Sequence, residues 1–466
     1  MNYIERLFTT NKLNDVFTPT TTAKLTYVNR STLESDLEKY LTLPGKQIVV
    51  YGHSGSGKTT LLRNKLKYLR KNYIKTHCES STTFNDILLQ AFDDLNRFYV
   101  TERTSDIEYS VSSELKSEFQ LLSSKISSTL KESQGEKSAR IVPPQLTPLK
   151  LAKFLGEINC VWIIEDFHKV VEHEKKRIAD VIKIFIDAAN DYPNMKIVCI
   201  GAVATARELI ELDNNLNNRI AEQPVPLLTD KEIETFINRG FQLLNVSIEE
   251  PLKHKIVYYS NNLASIAHEI CYDLCFHSGI SKSRFFPKRL KNDVFKIAIQ
   301  AHVSKNSDTF TKIYDTIVLQ SYGWYLLRTF DALEKENLSF DEIYQKIPSY
   351  KKPEKEELFN YLEQLGSAEY KEIIRYNRTS HKYSIASPFF RAFLKMKLAL
   401  EKSEQKASND KKRNKMYNKY AIDEPIPKIF FDEKFFLEYN KVLETIVTRE
   451  IELKGQFSAI QEKRKK

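Results

Sequence analysis

The chain is 466 residues long and carries 71 Lys and Arg against 61 Asp and Glu, a formal net charge of +10. With 41% apolar and 28% charged residues it has the composition of an ordinary globular protein, with room for about three domains. No run of about 18 uncharged apolar residues occurs, which argues against a membrane-spanning helix. The start, Met1 to Phe8, lacks the apolar core of a secretory leader. The five scattered cysteines fit reduced thiols in a cytoplasm better than a disulfide framework.

Residues 1–30 read as an irregular lead-in, with the polar run Thr18-Pro19-Thr20-Thr21-Thr22. Leu33, Leu37, Tyr40 and Leu41 have helical spacing over 31–43, with Ser31 as N-cap and Glu34 three residues on; Pro44-Gly45 ends the helix. An apolar, β-branched strand follows at 47–51, then a glycine loop and a helix to about Lys71. A strand is predicted over 73–78 and a helix over 83–98. From 101 to 146 the chain is rich in Ser, Lys and Glu with few bulky apolar residues, and reads as a helical or partly mobile insertion closed by Pro143-Pro144. After a helix over 147–156 comes Cys160-Val161-Trp162-Ile163-Ile164, the continuous apolar run of a strand buried on both faces of a parallel sheet. A helix over 173–190 and a strand over 196–201 follow, and residues 216–228 carry the chain out of the sheet. This alternation predicts an α/β domain over 31–228, a parallel sheet with helices on both faces.

Residues 229–310 read as a helical lid. Over 311–400 the pattern gives helices at 312–335, 339–347 (Ser339 as N-cap) and 353–366, strand-like runs at 372–376 and 382–385, and a closing helix at 389–400. Three helices followed by a hairpin is the order of a winged helix. The remainder, 401–466, reads as a basic helical tail with Lys411, Lys412, Arg413, Lys415 and Lys419 close together and the terminal run Lys463-Arg464-Lys465-Lys466.

The chemistry begins where strand 47–51 runs into Gly52-His53-Ser54-Gly55-Ser56-Gly57-Lys58-Thr59-Thr60. Strand, Gly-x-x-x-x-Gly-Lys-Thr and helix together make a phosphate site. The glycines let backbone N–H groups turn inward toward an anion at the positive end of the next helix. Lys58 is placed to reach the β- and γ-phosphates of ATP, and the Thr59 hydroxyl to ligate Mg2+. Hydrolysis further needs a carboxylate on the magnesium side and one that orients water. Glu165-Asp166, at the C-terminal end of the buried strand 160–164, supplies both. The preferred assignment gives Glu165 to the metal shell and Asp166 to the water, with the reverse register open.

These motifs resemble the P-loop and Walker B elements of AAA+ and STAND ATPases, and over roughly 15–400 the chain is similar to bacterial STAND-type and origin-recognition-like ATPases. The segments Val16-Phe17-Thr18-Pro19 and Tyr27-Val28-Asn29-Arg30 resemble the stretch ahead of the P-loop that packs near the base in that family. Asn218-Arg219-Ile220, followed by Val225-Pro226-Leu227, resembles the arginine-bearing turn that closes the catalytic domain. By that likeness Arg219 approaches a γ-phosphate from the same or a neighbouring subunit. Two departures stand out. Strand 196–201 ends in Gly201-Ala202-Val203-Ala204 without a polar sensor, Thr205 being the nearest, and helix 263–275 lacks the lid arginine, His268 being the obvious cation nearby. Both favour a slow switch over a fast motor.

His268, Cys271 and Cys275 share a helix face and suit zinc by type. Leu263, Ile266, Ile270 and Leu274 on the same helix favour a packed lid instead. The third helix of the 311–400 region begins Pro353-Glu354-Lys355-Glu356-Glu357, an acidic face that phosphate repels, while the hairpin carries Arg375, Arg378, His381 and Lys382. The resulting expectation is a nucleotide-driven switch controlling assembly or a separate effector protein; the STAND likeness adds bacterial antiphage defence as a setting. The alternative is a DNA-binding initiator or transposition-type ATPase using the winged helix and basic tail.

Overall fold

The computed structural model describes residues 10–99, 113–131, 146–202, 211, 216–332, 337–378 and 380–420. Thr205, the side chains of the basic residues between 411 and 419, and the basic run at 463–466 lie outside them.

A short helix α1 (Leu13–Val16) and α2 (Ser31–Thr42) precede strand β1 (Gln47–Tyr51) and helix α3 (Lys58–Tyr68). Then come β2 (Tyr73–His77), α4 (Phe84–Tyr99), α5 (Ser113–Lys131), α6 (Pro148–Glu157), β3 (Val161–Glu165), α7 (Glu172–Asp187), β4 (Lys196–Gly201) and β5 (Ile220–Pro224). The five strands form one parallel sheet in the order β2-β3-β4-β1-β5. Its central strands are apolar because both faces are covered. Ile48, Val50, Val161, Ile163, Val198 and Ile200 pack against Leu37 and Leu41 of α2 and Leu61, Leu62 and Leu66 of α3. On the other face Trp162, Ile164, Ile197 and Cys199 meet α4, α6 and α7. The α/β arrangement expected for this region is the one observed.

One sequence expectation is corrected here. Residues 216–228 do not simply leave the sheet: Ile220–Pro224 is its fifth strand, in register with β1 from Gln47↔Ile220 to Tyr51↔Pro224. As an edge strand it tolerates an exposed Glu222 and a terminal proline, so it has no continuous apolar run to betray it. The insertion read over 101–146 does hold a helix, α5. Within it, Leu115, Phe119 and Leu122 of α5 are buried against the sheet core, and Phe119 meets Phe154 edge-on at 5.1 Å.

Helices α8 (Asp230–Leu243), α9 (Glu250–Ser260), α10 (Ala264–His277) and α11 (Val294–Lys305) follow, with a two-stranded parallel ribbon β6 (Val246–Ile248) and β7 (Lys288–Leu290) between them. Thr229 and Glu232 form a reciprocal capping box at the start of α8. Leu13, Val16 and Phe17 belong to the core of this helical layer, so part of the expected lead-in is built into it.

The last stretch holds α12 (Lys312–Val318), α13 (Gly323–Ala332), α14 (Phe340–Lys346) and α15 (Lys355–Leu365), the antiparallel hairpin β8 (Ile374–Asn377) and β9 (Lys382–Ile385), and α16 (Pro388–Tyr420). The helix expected over 312–335 is thus two helices, broken at 319–322, where Leu319 is exposed. Leu338 pairs with Tyr383 and ties the segment before α14 to the hairpin. The first turns of α16 serve two cores. Ala392, Met396 and Leu400 face the lid helices, while Phe390, Phe393 and Leu394 face α12 to α15. No helix among the described residues is long and apolar enough to cross a membrane.

Candidate nucleotide site

β1 delivers the chain to Gly52, and α3 starts at Lys58 with Gly57 as its N-cap. Two glycines are demanded by space. Gly52 has φ +152°, and a Cβ there would stand 2.3 Å from the Val225 carbonyl oxygen. Gly55 has φ +76°, and a Cβ there would stand 2.9 Å from Leu263 Cδ2, 3.0 Å from Phe389 Cζ and 3.4 Å from Ser265 Oγ. The tip of the loop is therefore roofed by the start of lid helix α10 and by the first turn of α16.

Lys58 Nζ donates to the Gly52 and His53 carbonyl oxygens, both at 2.9 Å. Burial lowers its pKa, with the charge of Asp166 opposing the shift. Ser56 is 1% exposed and its Oγ has no hydrogen-bond partner. A buried hydroxyl without a partner is costly unless something else completes it. Gly55, Ser56, Gly57, Thr59 and Thr60 line a cavity of about 310 Å³ whose other walls are Thr18 to Ala23, Thr26 to Val28, Arg30, Leu228, Phe236, Ala264, Ser265 and His268. The lead-in, the glycine loop and the lid thus converge on one cavity. Among the described residues no Asp or Glu lines it.

The two acids sit beyond that lining. Glu165 ends β3 on the face that carries Val161 and Ile163, the same face as α3. Its Oε2 is held 3.1 Å from Lys75 Nζ and 3.2 Å from His77 Nδ1, while its Oε1 is buried without a partner. Asp166 adopts a left-handed backbone, φ +59°, and its half-exposed carboxylate meets Lys169 Nζ at 2.7 Å. Of the two, Asp166 is the one whose charge bears on Lys58.

Two expectations change at this site. Arg219 immediately precedes β5, level with the start of β1 and at the opposite end of the sheet from the glycine loop. Five strand residues separate the two levels, about 16 Å. Its nearest partner is Asp187 at 3.6 Å, so it does not meet the phosphate loop of its own chain. His268 is not a lid cation. It is 4% exposed, lies stacked on Phe236 with centroids 4.5 Å apart, and accepts the Thr18 N–H at Nδ1. Burial pulls its pKa down to about 4, so the ring is neutral at pH 7. Cys271 and Cys275 are buried in the lid core, and burial pushes the Cys275 thiol up to about 12.

Several lining residues carried no signal of their own in the sequence. Thr26, Phe236 and Ser265 are ordinary residues until the fold brings them to the loop. Arg30 is fixed by Glu232 at 3.1 Å and by the carbonyls of Pro226 and Leu227, tying the lead-in to the segment before α8.

A strand, a glycine cradle too tight for a Cβ at Gly52 and Gly55 and a half-buried lysine at a helix start, set in a parallel sheet, define a P-loop nucleotide-binding domain. Residues 44–209 match the family described as AAA domain, and this part of the chain is an AAA-type P-loop ATPase domain. Among solved structures, the chain resembles the Walker-type ATPase Paby2304 of Pyrococcus abyssi (16% identity, 79% of this chain and 96% of that one covered, TM-score 0.48). It also resembles Cdc6p from Pyrobaculum aerophilum (12% identity, 83% and 98% covered, TM-score 0.39). A third is the Aeropyrum pernix ORC1 protein in complex with DNA (13% identity, 82% and 96% covered, TM-score 0.40). A comparison with curated proteins found no match.

Proposed function

We propose that the chain is an ATP-binding, slowly hydrolysing switch, in which the state of the phosphate loop sets the placement of the lid and of the C-terminal helices. Through them it controls assembly or the engagement of a separate effector protein. The observation that carries this reading is the convergence of Leu263, Ser265 and Phe389 on Gly55. Phe389 begins the helix that is shared by the lid core and the 312–400 core. A change at the loop tip therefore meets two elements that it can move.

The residues fit the nucleotide. Magnesium-bound ATP supplies the γ-phosphoryl group and the charge that the site is arranged to meet. Lys58 is the cation for the phosphates, and the Ser56 hydroxyl with the loop N–H groups are the donors. Thr59 and Glu165 are the magnesium-side oxygens, and Asp166 orients water. Lys75 already offsets the charge of Glu165, and His77 Nδ1 stands beside the same oxygen, which weakens its pull on a metal shell and suits slow turnover. Helix α10 has no side-chain cap and points its start, with the buried and unpartnered Ser265 Oγ, at the same cavity. Its positive end takes the place of the missing lid arginine. The cavity walls from Thr18 to Val28 receive the base. A guanine would want an acidic acceptor, and none lines the cavity, so adenine is favoured. Arg219 is left to serve a neighbouring subunit, which makes assembly part of catalysis.

Residues 311–400 act as a winged helix in this proposal. The helix before the hairpin, α15, opens with the acidic residues Glu356 and Glu357 and favours protein contact. The hairpin supports the second reading, a DNA-binding initiator, because Arg375, Arg378 and His381 are exposed. Salt-sensitive duplex binding that vanishes in Arg375→Ala/Arg378→Ala would favour it. The STAND likeness of the motifs adds antiphage defence as a setting, tested by plaque counts with the wild-type chain and with Lys58→Ala.

The direct test is nucleotide binding and turnover in three variants. Lys58→Ala is expected to lose ATP affinity, and Asp166→Asn to bind ATP and hold it uncleaved. Wild-type affinity in Lys58→Ala would overturn the reading. Normal turnover in Asp166→Asn with none in Glu165→Gln would exchange the two acid roles.

A further inference from the structure

We propose that the segment from Lys282 to Lys291, the end of the loop after α10 together with β7, is a contact site for single-stranded nucleic acid, separate from both the nucleotide cavity and the winged hairpin. Its sequence is Lys-Ser-Arg-Phe-Phe-Pro-Lys-Arg-Leu-Lys, which has five cations and no acid. Phe285 and Phe286 are 72% and 73% exposed, adjacent, and set edge-to-face with centroids 5.0 Å apart. Leaving two neighbouring phenyl rings in water is costly at roughly 25 cal/mol per Å², and such exposure marks a contact.

The rings are not on a slack loop. Asn245 takes a left-handed backbone, φ +54°, and its side-chain amide donates to the carbonyls of Arg284 and Phe285, both at 3.0 Å. The Arg284 N–H bonds Leu244 O, the Ser283 N–H bonds Asn11 O, and Ser283 Oγ accepts the Asn11 N–H. β6 and β7 then pin the far end. Pinning lowers the ordering cost of binding, so the rings are presented rather than collapsed.

The chemistry around the rings selects the partner. Lys282, Arg284 and Lys291 are exposed, Lys12 bridges to Lys282 from the lead-in, and Arg289 is shared with Glu249 at 3.2 Å. Cations flanking two aromatic faces match the alternation of phosphate and base along an unpaired strand. Duplex bases offer edges, not faces, to a protein surface. The one aliphatic residue of the segment, Leu290, is buried, so it has no aliphatic patch to sink into a bilayer. Two copies of so basic a loop repel each other, which disfavours a symmetric self-contact.

The test is fluorescence anisotropy of a labelled thymidine oligonucleotide with the full chain at low and at physiological salt. Binding should weaken with salt, and Phe285→Ala/Phe286→Ala should weaken it ten- to a hundredfold, since each stacked ring is worth several-fold or more. Lys282→Glu/Arg284→Glu should abolish most of the salt dependence, and Asn245→Ala, which leaves rings and charges in place, should give an intermediate loss. ATP binding should stay at the wild-type level in all of these, so failure here is distinguishable from failure of the nucleotide reading. The proposal is overturned if the wild-type chain does not bind the oligonucleotide or if the phenylalanine variant binds as tightly as wild type. It is likewise overturned if the rings are needed for sedimentation with phosphatidylserine vesicles or for self-association in the ultracentrifuge, and not for the oligonucleotide.

Discussion

Replacing Phe389 by alanine tests whether the phosphate loop and the C-terminal helices communicate. The ring is partly buried against the lid core, and its Cζ lies 3.0 Å from where a Cβ on Gly55 would sit. A fully buried Phe→Ala change costs about 3–5 kcal/mol, so a half-buried one costs about 2 kcal/mol. The ring shares its contacts between its own core and the loop, which leaves roughly 1–2 kcal/mol of that loss at the loop tip. A loss of this size changes a two-state ratio by about 5- to 30-fold. Release of a fluorescent ATP analogue, followed by stopped flow, should therefore accelerate by about that factor, with little change in the association rate. Phe359→Ala on α15 is the control, a ring of the same size that is 44% exposed and packs on Phe340. Release within twofold of wild type in Phe389→Ala, or equal acceleration in the control, would refute the coupling.

Three further outcomes follow from the same geometry. His268 has its folded pKa pulled down to about 4, below its unfolded value near 6.5, so the unfolded state binds the extra proton between them. Its contribution is complete above about pH 6.5 and is lost as pH falls to about 4, roughly 3 kcal/mol in all; denaturant titrations should show this slope, and His268→Gln should flatten it. Lys75→Ala removes the lysine cation held on Glu165 and should lower the magnesium concentration needed for half-maximal turnover; an unchanged magnesium dependence would show that the pair is idle. Arg219→Ala should leave ATP affinity of the isolated chain unchanged and lower turnover only where chains assemble, measured by activity against protein concentration.

Much of the α/β domain was legible because its signals are local. The strands at 47–51 and 161–165 announce themselves as apolar, β-branched runs, since burial on both faces leaves no room for polar alternation. The capping box at Ser339 and Glu342 marks the start of α14 from its own four residues. β5 escaped because an edge strand has one neighbour and one exposed margin, so Glu222 and Pro224 are acceptable there. The anchorage of the helical insertion is hidden for a related reason. Three apolar residues of α5, Leu115, Phe119 and Leu122, suffice to anchor it, and they are thinly spread in a polar stretch.

The sequence by itself determined the phosphate loop, because strand, glycines, lysine and helix are contiguous and their geometry follows from backbone rules over a dozen residues. It also determined that two acids end the buried strand β3. Only the tertiary structure decided what those residues face. It set Lys75 and His77 beside Glu165, made His268 a neutral acceptor rather than a cation, and put Arg219 at the far end of the sheet. It also laid Phe389 on Gly55 from more than three hundred residues away. Such meetings depend on strand order and on which helix faces are buried together, and those are settled by the packing of the whole chain, not by any window of it.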